Sequence, residues 1–119
     1  MTKLTRDTLL QAVESHTRDM YSAKEIAGLL DANVNTVKAH LSRRGFTPVQ
    51  TAERGLRIYD VTTLKRYVLW LYLGSGSDSP TAYTSNERDE ILESKGVDRL
   101  WEALCESQES LIHALYADP

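Results

Sequence analysis

The chain has 119 residues, 41% of them hydrophobic and 26% charged, which suits one domain or one small domain with a helical extension. Its longest apolar run, Tyr67 to Leu73, is far too short to span a bilayer, no basic-then-apolar leader opens the sequence, and Cys105 has no second cysteine to pair with, so a cytoplasmic protein without a membrane segment is expected. The net charge of −3 is unevenly spread: residues 1–72 hold eleven Lys and Arg against seven Asp and Glu, and residues 73–119 hold three against ten.

Thr5 is placed to cap a first helix over about Arg6 to Thr17, with Leu9, Leu10, Val13 and Met20 as its apolar stripe. His16 lies beside that stripe and is assigned no chemistry. Ser22-Ala23-Lys24-Glu25 has capping-box spacing: the Ser22 hydroxyl can accept from the Glu25 amide while the Glu25 carboxylate reaches back to the Ser22 amide. Tyr21 and Ile26 flank it as a hydrophobic staple would, and Ile26, Ala27, Leu29 and Leu30 supply the apolar side of a second helix ending near Leu30.

Asp31-Ala32-Asn33 then reads as a turn, because Asp31 tolerates a left-handed backbone and Asn33 suits an N-cap. The third helix runs from Val34 to about Arg44 and stops at Gly45, with Val37 and Leu41 facing inward. Its other side carries Asn35, Lys38, Ala39, Ser42 and Arg43. Small residues there permit close approach, an amide can read a base edge in bidentate fashion, and cations bind guanine or phosphate, which suits a major groove.

Phe46 is expected beneath a hairpin with Pro48 on its edge strand and a turn at Glu53-Arg54-Gly55. Leu56 and Ile58 alternate with Arg57 and Tyr59 as in a half-buried strand, the apolar pair inward, and Arg54 and Arg57 project where a phosphate backbone or minor groove can be met. Asp60 caps a fourth helix, Val61 to about Leu73, with Val61, Leu64, Val68 and Leu71 inward. Tyr67, Trp70 and Tyr72 add aromatic area on its other faces, so this helix contacts more than the small core.

The Gly/Ser-rich stretch from Gly74 to Pro80 marks a linker. Thr84-Ser85-Asn86-Glu87 is a second capping box, opening a short acidic helix that ends at Gly96. A final helix, about Val97 to Tyr116, spaces Val97, Trp101, Leu104, Gln108, Leu111 and Leu115 at alternating steps of four and three, a coiled-coil seam. Self-association, or docking back onto the Trp70 surface, would complete its burial.

The run Glu25-Ile26-Ala27-Gly28-Leu29-Leu30-Asp31-Ala32-Asn33-Val34-Asn35-Thr36-Val37-Lys38 and onward to Gly45 resembles the helix-turn-helix of bacterial and phage regulators. Phe46-Thr47-Pro48-Val49-Gln50 and Gly55-Leu56-Arg57-Ile58-Tyr59-Asp60 resemble the wing and following helix start of the MerR and excisionase group. Asp31 stands where such motifs often hold glycine, and Thr51-Ala52-Glu53-Arg54 makes an extended wing tip. The implied fold is mainly α: a winged helix-turn-helix of three to four helices plus a small β-hairpin over residues 1–73, a linker over 74–83, and an acidic helical segment over 84–119.

The resemblance implies sequence-specific binding of double-stranded DNA. Asn35, Lys38 and Arg43 would read or position bases beside Ala39 and Ser42, Thr36 and Arg44 would meet phosphates, and Arg54 and Arg57 would act from the wing. The MerR group dimerises through helices C-terminal to its DNA-binding domain, which makes the final helix the candidate homodimer element. An acidic total does not oppose this, since salt screens charge beyond about 8–10 Å and the local field governs contact.

His16, His40, His113 and Cys105 show no metal-ligand spacing, and no nucleophile motif stands out, so no metal, cofactor or catalysis is expected. The leading reading is a transcriptional regulator or an accessory factor of a phage or mobile element. The alternatives are a protein–protein adaptor using the aromatic fourth helix and acidic tail, and the small DNA-recognition subunit of a phage packaging complex.

Overall fold

A computed structural model of the chain describes residues 5–14, 20–43, 46, 48–51, 54, 56–75 and 82–116. Among these the protein is mainly helical with a small antiparallel sheet. The order is α1 (Arg6–Glu14), β1 (Met20–Ser22), α2 (Ala23–Leu30), α3 (Val34–Arg43), β2 (Gln50–Thr51), β3 (Arg57–Asp60), α4 (Val61–Ser75), α5 (Ser85–Lys95), α6 (Val97–Glu106) and α7 (Gln108–Tyr116). No helix among the described residues is long and apolar enough to cross a membrane. His16, Arg44, Gly45, the tip residues Ala52, Glu53 and Gly55, and residues 76–81 of the linker lie outside the described residues.

The local signals at the helix starts act as their chemistry dictates. The Glu25 amide donates to Ser22 Oγ at 3.2 Å and the Ser22 amide to Glu25 Oε1 at 3.1 Å, closing the first capping box. Thr84 and Glu87 close the second in the same way, at 3.0 and 3.2 Å. Asp60 caps α4, its Oδ1 accepting from the Thr63 amide at 2.9 Å. Each such cap satisfies amides that a helix start otherwise leaves orphaned.

Met20 departs from the expected pattern. It belongs not to the stripe of the first helix but to β1, a strand the sequence reading lacks, where it is exposed. The sheet order is β1-β3-β2, with Tyr21 opposite Tyr59 and Ser22 opposite Ile58. β1 is only three residues long, too short for its alternation to be seen. The hairpin strand β3 departs in part from the expected alternation. Tyr59 is buried opposite buried Tyr21, whereas Leu56 is 50% exposed and Ile58 half-buried; Arg57 is exposed, as expected.

Helix α4 lies at the centre. Leu64, Tyr67, Val68, Leu69, Trp70, Tyr72 and Leu73 are all buried, so the helix is covered on nearly every side. Val61 and Leu71, expected inward, are only half-buried. One cover is the α1–α3 layer; the other is α5–α7, which folds back onto it. The Arg88 guanidinium sits over the Trp70 ring at 3.7 Å and donates to the Trp70 carbonyl at 2.8 Å. The Tyr83 amide donates to the Leu73 carbonyl at 3.0 Å, and Arg6 in α1 donates to the Leu104 and Cys105 carbonyls at the end of α6. A guanidinium there meets the negative end of the helix dipole. Residues from both parts accordingly join one hydrophobic core.

The linker expected over 74–83 begins later than its composition suggests, because Gly74 and Ser75 complete α4. The final helix is two helices. Ser107 is extended (φ −173°, ψ 166°) and its hydroxyl accepts from the Ser110 amide at 3.0 Å, so it ends α6 and caps α7. A serine followed by Gln108 and Glu109 is an N-cap signature lying inside the apparent heptads. α6 and α7 then pack against each other as a hairpin within the chain.

Candidate nucleic-acid interface

The polar side of α3 is held outward by what fixes its other side. At the end of α2 the Ala32 amide donates to the Ala27 carbonyl at 2.8 Å and the Asp31 amide to the Gly28 carbonyl at 3.4 Å, a Schellman pattern with Asp31 left-handed (φ 51°, ψ 46°). Asn33 then caps α3, its Oδ1 accepting from the Asn35 amide at 2.8 Å and, more weakly, from the Thr36 amide at 3.4 Å. Val37 and Leu41 are fully buried beneath. His40 Nδ1 lies 2.8 Å from the Tyr67 hydroxyl and its ring centroid 5.0 Å from that of Trp70. Burial pushes the Tyr67 phenol up to about 12. Asn35, Thr36, Lys38, Ser42 and Arg43 are left exposed, with Ala39 half-covered between them.

The sheet places two further elements beside that face. Because α2 starts directly after β1, and β1 pairs with β3, the first turn of α2 lies next to the β2–β3 hairpin. Phe46 packs edge-on against Tyr67 at 5.9 Å and lies under the Arg66 guanidinium, which ties the segment leading into the hairpin to α4.

Between α3, the start of α2 and the hairpin runs a groove of about 630 Å³. Lys24 comes from α2, Lys38 and Ser42 from α3, and Arg54 and Arg57 from the hairpin; Ala23, Leu56 and Tyr59 add apolar surface. Among the described residues no carboxylate lines it. Among the described residues none of these four cations, nor Arg43, has an ion-pair partner. Four cations around one concavity favour an anionic ligand over a neutral one.

No protein-family model matches the chain, and no curated protein or solved structure is significantly similar to it. The geometry therefore carries the functional argument alone.

Of the DNA-contact residues expected from sequence, Lys38, Ser42, Arg54 and Arg57 meet at the groove. Asn35, Thr36, Ala39 and Arg43 share the open side of α3 without lining it, and Arg44 lies outside the described residues. Lys24 was missed, since only the β1–β3 pairing brings it to the hairpin. Its position in the first turn after the Ser22 cap was the available signal.

The six seam residues lie elsewhere. Trp101, Leu104, Leu111 and Leu115 are buried in the chain's own core, Val97 is half-buried against it, and Gln108 Nε2 donates to the Tyr72 hydroxyl at 3.0 Å. Their spacing needs no second chain to account for it. Among the described residues no cluster of three or more His, Cys, Asp or Glu could hold a metal ion. Partial burial, and then Glu14, push the Cys105 thiol up, opposite to the shift that activates a nucleophile.

Proposed function

We propose that the protein is a winged helix-turn-helix module binding double-stranded DNA, with α3 in a major groove and the β2–β3 hairpin as its wing. The observation that carries this reading is the groove joining Lys38 on α3 to Arg54 and Arg57 on the hairpin, lined by four cations among the described residues. Supporting it, the outer side of α3 offers Asn35, Lys38 and Arg43 to a base edge, while the buried Val37 and Leu41 fix the helix from behind. A regulator or an accessory factor of a mobile element is the role this activity would serve. In a dimer reading two half-sites, the seam residues that this chain buries in its own core would be the part to test.

The adaptor reading relied on exposed aromatics, and Trp70 is only 5% exposed. The acidic α5 and α6, and a seam buried within one chain, are what favour it. Selection of duplexes from a random pool, followed by anisotropy titrations at low and moderate salt, tests the proposal. Salt-dependent retention that falls sharply in the Asn35, Lys38, Arg43 triple alanine variant supports it. Equal affinity of the folded triple variant would sink it.

A further inference from the structure

We infer that the groove between α3 and the hairpin seats one sugar–phosphate strand of the duplex, with Lys24 as a phosphate contact and Leu56 packed against the sugars. This deepens the duplex-binding reading above and rests on it. An α-helix with its side chains is about 10–12 Å across and fills a major groove about 12 Å wide. The adjoining minor groove is separated from it by a single backbone strand. With α3 on one side of that strand and the hairpin on the other, the strand must run through the space they enclose. That space has a volume of about 630 Å³.

Its lining matches the occupant. Lys24, Lys38 and Arg57 enter from three separate elements, so cations reach a strand from both flanks and from the first turn of α2. Leu56 is 50% exposed on the hairpin, which leaves a large apolar side chain in the cationic lining with no core to fill. A deoxyribose is the apolar part of a backbone strand, and it meets such a side chain while the flanking phosphates meet the cations. Lys24 is a positioning contact in this scheme: it sets where the strand lies and carries no sequence information.

The test uses the full chain and a duplex recovered from the random pool. Binding is measured across a salt series for the wild type, Lys24→Ala and Lys24→Arg, and with single methylphosphonate linkages stepped along each strand. Lys24→Ala should lower the slope of log affinity against log salt by about 0.9, equally on matched and mismatched duplexes, and Lys24→Arg should restore it. One neutral linkage, in one strand only, should weaken the wild type and leave Lys24→Ala no weaker than before. Leu56→Glu, at an exposed position, should cost at least about tenfold at low salt with the unfolding midpoint unchanged. An unaltered slope for Lys24→Ala, while the wild type still binds in a salt-dependent way, overturns the strand seat and leaves duplex binding standing. Absence of any salt-dependent retention by the wild type overturns both.

Discussion

The Arg88 guanidinium lies over the Trp70 ring, 3.7 Å from its centroid, and occupies the space a Cβ on Gly74 would need. One side chain from α5 thereby holds α4 through a cation–π contact, a hydrogen bond to the Trp70 carbonyl and close packing on a glycine. Trp70 in turn packs on His40 of α3, so the acidic C-terminal helices and the helix proposed to meet DNA share a support.

A double-mutant cycle follows from this contact. Arg88→Ala should cost about 2–4 kcal/mol, the sum of a partly buried cation–π contact and a charged hydrogen bond. Gly74→Ala must displace the guanidinium and should destabilise the wild type. In the Arg88→Ala background the obstruction is gone, and the same change should stabilise by up to about 1 kcal/mol through helix propensity. Urea midpoints of the four proteins check the reversal of sign; equal effects in both backgrounds would refute it.

The seam residues give a second expectation. Leu104 and Leu111 are almost wholly buried within one chain, so Leu104→Ala or Leu111→Ala should each cost about 2–5 kcal/mol. That loss should not depend on protein concentration. Chemical unfolding at two concentrations tenfold apart distinguishes the internal core from an interface, whose midpoint would shift with concentration.

Acid should loosen α5 at its start. The Glu87 carboxyl is held below the ordinary glutamate range, chiefly by the Thr84 amide and then by the Thr84 hydroxyl. A lowered folded value means that this contribution is fully present above the ordinary glutamate pKa and disappears as pH falls through the lowered one. The Thr84 amide resonance should report that titration. In Glu87→Gln, whose amide oxygen can still accept, the resonance should stop responding over the same range.

On α3, Asn35 and Lys38 should differ in what they control. Asn35→Ala should relax preference at one base pair of the selected duplex, at a cost of about 1–3 kcal/mol on the preferred sequence. Lys38→Ala, at the groove, should weaken matched and mismatched duplexes together, as loss of a phosphate contact does. A panel of single-base variants separates these outcomes.

How far the sequence reveals this arrangement depends on the range of each signal. The caps at Ser22, Asn33, Asp60 and Thr84 act within three residues, and all four were legible. The inward pair Val37 and Leu41 and the outward Lys38 followed from helical period alone. β1 was not legible, since its three residues become a strand only by pairing with β3 across the α2–α3 unit. That pairing also buried Tyr59 against Tyr21 and brought Lys24 to the groove. The heptad spacing of the last helix was real but ambiguous, because a seam buried against α4 and one buried against another copy look alike. The decisive mark was local after all: Ser107, a cap in the middle of the run.

The chain enters α2 from β1 and leaves the hairpin through β3, and those two strands are bonded to each other. Everything from Ala23 to Leu56 is therefore a loop pinned at its neck, like a purse on a drawstring. Amide protons of the Tyr21–Tyr59 neck should exchange with solvent among the last in the protein despite the brevity of the strands. Opening that neck would release α2, α3 and the hairpin in one event.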